Sequence, residues 1–483
     1  MKVLFAAVNA KYVHTSLSVR YLKNYVKKAG IDAEFLEFTI NETKDSVLKK
    51  LYMSHADVYG FSCYIWNIGF VLSVIGDLKL LKPDCKIILG GPEVSFDAEK
   101  LLENNPFIDV VVSGEGEVAV AEILKSGDFS RRAVFSPSDI PLDELDFPYT
   151  DEDLANCIKG EKLIYYETTR GCPFSCAYCL SSVTQGVRYR DLSLVKGEIK
   201  KMTEAGALTI KFVDRTFNAD KKRAAEIWRF CAGLCGRTKY HFEIGADLID
   251  EECLNILKEV PKDKFQFEIG VQSTNPETLA SVCRKTDLEK IKQNVRALKE
   301  FDNIHLHLDL IAGLPHEDYK SFARSFNDLF ELKPNELKLG FLKFLKGSKI
   351  RRDAKSFGGV YSFDAPYSVL STDFLSAEDI IKLKNIEDVF ERYYNSGRFL
   401  NSIFFAAKCF FAPFDFFEKL SEYFDKKGLI GQGVKRISLY ELLYEFMKEN
   451  ASEETLEDFR LLLKKDFECW HSNGVGTPDW YKY

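Results

Sequence analysis

A chain of 483 residues is longer than one hydrophobic core usually supports, so its length predicts two or three domains. With 46% hydrophobic and 29% charged residues it has a globular composition, and a formal charge of −7 argues against nucleic acid as a partner. The sequence contains neither a secretory apolar core at its start nor roughly 20 consecutive apolar residues, so we expect a cytoplasmic protein without a membrane span.

The first part of the chain alternates short apolar runs with amphipathic segments. Runs that are apolar on both faces predict a parallel sheet covered by helices, here at residues 3–8, 33–38, 57–62, 85–91 and 109–117. Five such units predict an α/β, flavodoxin-like doubly wound domain over residues 1–130. Ligands of such sheets bind beyond the carboxyl ends of the strands, where the glycine-containing loops lie.

Residues 131–160 are polar and rich in proline and acids, which predicts a linker. A second series of apolar runs predicts a partial (β/α)6 barrel over residues 161–365, with strands at 163–169, 208–214, 240–247, 265–273, 304–315 and 336–344. From 366 to 483 the pattern is helical and carries no chemical motif, so we expect a helical C-terminal domain that caps the barrel mouth.

Three cysteines follow the first predicted barrel strand in the segment Cys172-Pro-Phe-Ser-Cys176-Ala-Tyr-Cys179. Thiolates are the ligands of iron-sulfur clusters, and three of them leave one iron of a cubane open. A zinc loop is the alternative, but zinc needs a fourth Cys or His, and none lies nearby in the sequence. Cys231 and Cys235 share part of this spacing, but they lie in a helical pattern and are interpreted as packing residues.

Polar residues recur at every second position along three neighbouring barrel strands. Their outer faces are covered by helices, so these side chains must point into the lumen. A filled barrel would have Val, Ile and Leu there, so the polar face predicts a cavity for a polar ligand. The case for a metal site is weaker than the case for a polar ligand, because the two histidines on one strand have only a single carboxylate beside them. The candidates for catalysis or substrate contact are His241, His305, His307 and Asp309.

The cysteine segment, with Arg170-Gly171 before it and an aromatic residue before its last cysteine, resembles the radical S-adenosylmethionine (SAM) superfamily. The resemblance implies a [4Fe-4S] cluster whose open iron binds SAM, a 5'-deoxyadenosyl radical, and a low-potential electron donor such as flavodoxin or ferredoxin. The family's Gly-Gly-Glu on the second strand is absent. The resemblance implies SAM contacts at Tyr178, Asp214, Glu243, Glu268, Gln272, Ser273, Ile311, Gly313 and Pro315.

With this motif downstream, the first domain resembles the B12-binding domain of cobalamin-dependent radical SAM enzymes, and the resemblance extends to about residue 345. It implies cobalamin contacts at Asn9, Ser62, Tyr64, Trp66, Gly90, Gly91, Pro92, Glu93, Gly114 and Glu115. The motif that supplies a histidine ligand to cobalt is missing after the first strand. We therefore expect base-off cobalamin without histidine ligation, and His14 is the residue that could contradict this.

The function implied by these resemblances is methylation of an unactivated carbon in a small-molecule or peptide substrate. A non-methylating radical rearrangement, cyclisation or oxidation is an alternative within the same group of enzymes. A hypothesis of a different class is a cobalamin- or redox-sensing protein whose cluster is regulatory. The polar lumen argues against a sensor, because a sensor needs no barrel lined for a substrate.

Overall fold

The first domain of the computed structural model, which describes residues 1–136, 140–183, 186–470 and 477–482, is a parallel sheet with a hydrophobic core on each face. Its strand order is β2-β1-β3-β4-β5-β6, the flavodoxin-like order with one strand added. The strands are β1 (Val3–Asn9), β2 (Ala33–Thr39), β3 (Val58–Ser62), β4 (Lys86–Gly90), β5 (Val110–Gly114) and β6 (Arg132–Ser136). The helices are α1 (Leu17–Lys28), α2 (Lys44–Met53), α3 (Ile68–Leu81), α4 (Ala98–Asn104) and α5 (Gly116–Ser126).

The linker prediction is wrong for much of residues 131–160. Strand β6 pairs in parallel with β5 and extends the first sheet, and helix α6 (Asp151–Lys159) begins at Thr150, whose side chain accepts a hydrogen bond from Asp153 N. An edge strand of five residues and a helix with only two buried residues leave little apolar signal in the sequence. Residues 137–139 of that segment lie outside the described residues.

The second domain is the predicted partial barrel, and the expected α/β fold class is confirmed. Its six parallel strands have the order β14-β13-β12-β11-β10-β7, so β14 and β7 are the two edges. Buried and part-exposed residues alternate along β12 and β13. The strands are β7 (Ile164–Tyr166), β10 (Thr209–Phe212), β11 (Lys239–Ile244), β12 (Phe265–Gln272), β13 (Ile304–Ala312) and β14 (Glu336–Phe341), with the hairpin β8 (Thr169–Gly171) and β9 (Val187–Tyr189) after β7. The helices are α7 (Leu192–Glu204), α8 (Lys221–Gly233), α9 (Glu251–Lys258), α10 (Pro276–Ser281), α11 (Leu288–Phe301), α12 (Tyr319–Phe330) and α13 (Lys349–Arg352).

The C-terminal region is helical after a short hairpin and packs against the barrel in one continuous core. The hairpin strands are β15 (Val360–Tyr361) and β16 (Val369–Ser371), and the helices are α14 (Ala377–Phe390), α15 (Leu400–Lys408), α16 (Pro413–Lys426), α17 (Arg436–Asn450) and α18 (Glu453–Trp470). Within the described ranges no single helix is long and apolar enough to cross a membrane; α15 and α16 reach that length only together, across a bend of 106°.

The helical region also satisfies the backbone of an edge strand of the barrel. The side-chain amide of Asn395 accepts a hydrogen bond from Leu337 N and donates one to Leu337 O, both at 3.0 Å. Tyr394 donates to the carbonyl of Pro334 at 2.6 Å just before the same strand. These contacts pair polar groups that an edge strand would otherwise leave open.

A partly buried arginine joins the first domain to the base of the hairpin that carries the cysteine segment. The Arg170 guanidinium lies 2.9 Å from Glu115, 2.7 Å from Glu117 and 2.8 Å from Glu167. Arg188, opposite Arg170 on the paired strand, contacts Glu115 as well. We call these five residues the interdomain clamp, since two of its acids follow β5 and its other members flank the cysteines.

Replacing Arg170 with methionine should destabilise the protein by roughly 3–5 kcal/mol, because it leaves three half-buried or buried carboxylates without their shared cation. The measurement is urea unfolding followed by circular dichroism. Arg132→Met is the matched control, since Arg132 pairs with the exposed Asp128 at 3.1 Å. This substitution should lower the free energy of unfolding by less than about 1 kcal/mol. Equal losses in the two variants would show that the clamp does not hold the domains.

A buried carboxyl fixes the end of strand β12 to helix α12. Glu317 is fully buried and its Oε1 accepts hydrogen bonds from Ser273 at 2.8 Å and from Ser325 at 2.9 Å. Its Oε2 has no hydrogen-bond partner among the described residues. Burial raises the pKa of Glu317 from 4.5 to about 7, so the folded protein holds a proton there that the unfolded chain has released.

Glu317→Gln should therefore stabilise the protein relative to wild type as the pH rises. The wild-type carboxyl is neutral in both states below pH 4.5, and its contribution is lost as the pH rises through about 7. The difference in melting temperature between variant and wild type should grow between about pH 4.5 and pH 7, by an amount equivalent to roughly 1–3 kcal/mol, and level off at higher pH. Glu331→Gln on the exposed surface is the control, and a pH-independent difference for Glu317→Gln would refute the buried proton.

Candidate functional site

The cysteine segment lies in the loop of the β8–β9 hairpin. Gly171 has a φ of +100°, and a Cβ atom there would collide with the carbonyl oxygen of Gly186, so glycine is required where the loop begins. Residues 184 and 185 of this loop lie outside the described residues. Cys176 is buried, whereas Cys172 and Cys179 are partly exposed.

Backbone contacts anchor this loop from two directions. Ala177 donates to the carbonyl of Val282 and accepts from Ile350 N, both at 2.9 Å. The predicted SAM contact Asp214 is fully buried and accepts hydrogen bonds from the Thr168 and Thr169 hydroxyls at 2.6 and 2.7 Å. Its carboxylate thus holds the chain that leads into the hairpin, and the structure leaves none of its surface for a ligand. Burial raises the pKa of Asp214 to about 6.

The donor set of the loop fits a cluster better than a single ion. Among the described residues, no group of three or more His, Cys, Asp or Glu side chains could hold one metal ion. In a cubane each thiolate binds a different iron, so the three sulfurs need not converge on one point. Thr216 Oγ1 lies 3.6 Å from Cys172 Sγ, and a guanidinium nitrogen of Arg284 lies 3.7 Å from Cys176 Sγ.

Arg284 is a functional candidate that the sequence did not reveal. It donates to the predicted SAM contact Tyr178 at 3.1 Å and to the carbonyl of Gly270. Burial opposes its charge, but Tyr178 and Cys176 raise the pKa of Arg284 overall. Within the described chain its Nε and the Oε1 of Gln272 are buried without hydrogen-bond partners, so a polar ligand could satisfy both. The sequence did not reveal Arg284 because a single arginine in a polar loop belongs to no periodic pattern that would mark it as a site residue.

The polar face of the barrel strands carries a connected network of hydrogen bonds and ion pairs, which we call the lumen network. His241 Nε2 and Lys211 Nζ both lie 3.0 Å from Glu268, and Lys211 lies 3.8 Å from Glu243. Burial, with help from Glu268, raises the pKa of Glu243 to about 7. Burial acts in the same direction on Glu268, but the bond from His241 and the charge of Lys211 lower its pKa to about 2. One carboxyl is therefore held ionised and the other is ready to exchange a proton near neutral pH.

A second group of lumen residues lies on β13 and β14. His305 Nε2 lies 3.0 Å from Glu336, and His307 lies between Glu336 at 3.8 Å and Asp309 at 3.0 Å. The contact with Asp309 is not aligned as a hydrogen bond, so His307 Nε2 lacks such a bond in the described structure. Burial lowers the pKa of His307, but Asp309 outweighs it and the pKa is raised. The four predicted catalytic candidates thus lie on one face of neighbouring strands, where Glu268 of β12 stands opposite His307 of β13.

The other predicted SAM contacts differ in accessibility. Ser273 is fully buried and bonded to Glu317, and Pro315 is buried as well. A Cβ atom on Gly313 would lie 3.0 Å from Val369 of β16, so this glycine makes room for the C-terminal region. Ile311 stays partly exposed on the lumen face.

Most of the predicted cobalamin contacts are engaged within the protein. Asn9 and Ser62 are buried. The Asn9 side chain donates hydrogen bonds to His14 O and Glu37, and the Ser62 hydroxyl is hydrogen-bonded to the Ser18 hydroxyl. Gly91 and Gly114 have positive φ, and a Cβ atom on either would collide with a neighbouring backbone. Glu93 accepts from Tyr367 and pairs with Lys346, and Glu115 belongs to the interdomain clamp. Four contacts remain open at the carboxyl edge of the sheet: Tyr64, Trp66, Gly90 and Pro92.

Two of these open residues form a flat aromatic surface. The rings of Tyr64 and Trp66 stack at 4.4 Å with an angle of 5° between their planes, and Trp66 is 45% exposed. Arg215 of the barrel is close enough to interact electrostatically with both Tyr64 and Glu243. His14, on the same edge, contacts Tyr165 of β7 at 2.6 Å through Nδ1.

Comparison with known proteins matches each part of the chain. Residues 3–124 match the B12 binding domain, residues 166–329 the radical SAM superfamily, and residues 355–482 a protein of unknown function, DUF4080. The cobalamin-dependent radical SAM methyltransferase TokK of Streptomyces tokunonensis is 27% identical over 386 residues, covering 69% of this chain and 54% of that protein. The chain thus spans about half the length of this relative. The anaerobic magnesium-protoporphyrin IX monomethyl ester cyclase of Rubrivivax gelatinosus is 23% identical, covering 66% of this chain and 62% of that protein.

Two solved structures share the fold. The radical SAM methyltransferase TsrM of Kitasatospora setae has a TM-score of 0.62 at 19% identity, covering 74% of this chain and 77% of that chain. The cobalamin-dependent SAM radical enzyme OxsB has a TM-score of 0.68 at 14% identity, covering 100% of this chain and 82% of that chain. The two matched domains together cover more than half of the chain, in the order that the cysteine loop and the first sheet predict. The chain belongs to the radical SAM enzymes whose barrel is preceded by a B12-binding domain.

Proposed function

We propose that this protein is a cobalamin-dependent radical SAM methyltransferase that methylates an unactivated carbon of a small polar molecule. The proposal is supported by contacts that connect three parts of the chain: Arg284 joins the cysteine loop to β12 of the lumen network, and Arg215 interacts with that network and with the aromatic surface of the first domain. When bound, the cluster and SAM supply a carbon-centred oxidising radical, and cobalamin supplies a methyl carrier.

In this proposal Cys172, Cys176 and Cys179 hold the cluster. SAM binds to Arg284 and Gln272, whose Nε and Oε1 atoms lack hydrogen-bond partners in the described structure. The Arg284 guanidinium suits a carboxylate, because its planar donors match two oxygens and its charge is already stabilised by Tyr178. The amide of Gln272, whose Oε1 is unsatisfied in the described structure, accepts from a hydroxyl or an amine.

The cobalamin would lie against the stacked rings of Tyr64 and Trp66, since a corrin is large and flat and exposed aromatic faces suit such a ligand. Gly90 and Pro92 border the same edge without a charged side chain. The polar lumen favours a small hydrophilic substrate over an extended apolar one, because apolar atoms would strand the hydrogen-bonding groups of His241, Glu268 and His307. Glu243 can take or return a substrate proton near neutral pH.

Anaerobic protein reconstituted with iron, sulfide, hydroxocobalamin and a strong reductant should convert SAM to both 5'-deoxyadenosine and S-adenosylhomocysteine, as quantified by mass spectrometry. Replacing Cys172, Cys176 or Cys179 with alanine should abolish deoxyadenosine, because each thiolate ligates the cluster. Cys235→Ala, at an exposed cysteine outside the loop, should retain it. Deoxyadenosine without S-adenosylhomocysteine would favour a non-methylating radical reaction, and neither product from cluster-loaded protein would exclude the enzymatic proposal.

We further propose that cobalamin binds base-off without a protein ligand to cobalt. His14 would have to break its 2.6 Å contact with Tyr165 to reach the metal. Cob(II)alamin bound to the wild-type protein should show an electron paramagnetic resonance spectrum without nitrogen coupling from a histidine, and His14→Ala should leave it unchanged. Nitrogen splitting that disappears in His14→Ala would show that His14 is the ligand.

A further inference from the structure

One surface segment next to the cysteine loop is strongly basic. Residues 343–355 contain six lysines and arginines and one acid, Asp353, in a chain whose formal net charge is −7. Lys346 and Arg351 are partly buried, and Lys346 pairs with Glu93 at 3.1 Å. Four cations of this segment are exposed, and Lys285, in the loop that follows α10, is exposed as well. We call these five residues the basic surface: Lys285, Lys343, Lys349, Arg352 and Lys355.

The basic surface is bonded directly to the cluster loop. Ala177, between the second and third cysteines, accepts a hydrogen bond from Ile350 N and donates one to Val282 O. Ile350 is buried against the loop, and its neighbour Lys349 is 50% exposed on its side chain. Lys349 forms an ion pair with Asp353 at 2.5 Å and also interacts electrostatically with the exposed Cys283. One layer of residues therefore separates this surface from the cysteines.

The other approaches to the loop are less suited to a protein partner. The base of the hairpin lies in the domain junction, where the acids of the interdomain clamp surround Arg170. The lumen side is the proposed SAM and substrate cavity. The Ile350 side thus offers an electron from outside a route to the cysteine loop that crosses neither the domain junction nor the proposed cavity.

We propose that the basic surface is the docking site for an acidic, low-potential electron-transfer protein. This inference rests on the proposed function, which requires one electron for each cleavage of SAM. Complementary charge speeds such encounters and makes them sensitive to salt. The electron passes from the reduced donor to the oxidised cluster, and no bond or proton is exchanged at the surface.

The test uses the reconstituted holoenzyme and photoreduced flavodoxin in an anaerobic stopped-flow instrument, with cluster reduction measured as the readout. The double variant Lys349→Glu/Arg352→Glu should lower the second-order rate constant by roughly 10-fold or more at low salt. Lys49→Glu/Lys100→Glu, with the same charge change on exposed positions of α2 and α4, should stay within about 2-fold of wild type. The wild-type rate should fall as ionic strength rises.

Two further measurements separate this inference from its premises. Iron content and the extent of reduction by excess titanium(III) citrate should be equal in all variants, which shows that the cluster is intact. Equal slowing in both double variants, or a wild-type rate that does not depend on salt, would overturn the docking site. Tighter binding of DNA or of phosphatidylglycerol vesicles than of flavodoxin would reassign the surface to that partner. A cluster that flavodoxin reduces normally without SAM cleavage would instead refute the proposed function.

Discussion

The shared ion pairs of Arg170 fix the geometry on which the rest of the site depends. Three carboxylates around one guanidinium would repel one another without it, and two of them belong to the first domain. Because Arg170 stands two residues before the first cysteine, the sheet edge and the cluster loop cannot move independently. The Gly114–Glu117 segment, in which the resemblance implied cobalamin contacts at Gly114 and Glu115, also contributes to this junction. Its glycine lets the backbone pass strand β6, and its acids reach across to the barrel.

The lumen network shows how several partly buried charged groups are kept stable without a ligand. Lys211 and His241 both contact Glu268, so this acid remains charged, whereas Glu243 has one cation at 3.8 Å and a raised pKa. The same division recurs on the neighbouring strands, where His305 lowers the pKa of Glu336 and burial raises that of Asp309. In both groups an acid bonded to a basic side chain, Glu268 or Glu336, lies near an acid whose pKa is raised by burial, Glu243 or Asp309. This pattern leaves proton acceptors and donors in the cavity without the cost of several unpaired charges.

Strand periodicity and the cysteine spacing were sufficient to predict the two sheets, the cluster loop and the polar lumen. Period-two alternation in β12 and β13 reports which face each residue occupies, and that information is local. The alternation does not show which residues each side chain contacts. Asp214 and Ser273 lie at the predicted ends of strands but are occupied by Thr168, Thr169 and Glu317. Arg284 and the Arg170 junction depend on contacts between residues far apart in the sequence, which no spacing rule describes. The strand β6 was missed because its apolar run is too short.

The C-terminal region is tied to the barrel at two places that bear on access to the cavity. Asn395 pairs the backbone N–H and C=O of Leu337 in edge strand β14, and Val369 packs against Gly313 at the end of β13. Its hairpin also reaches the first domain, since Tyr367 donates to Glu93 beside the open edge of that sheet. A single region therefore touches the edge of the barrel, the end of a lumen strand and the loop next to the proposed corrin surface. Under the proposed function, we expect substitutions in this region to change substrate specificity more than the radical chemistry, because its contacts lie at the edge of the barrel strands.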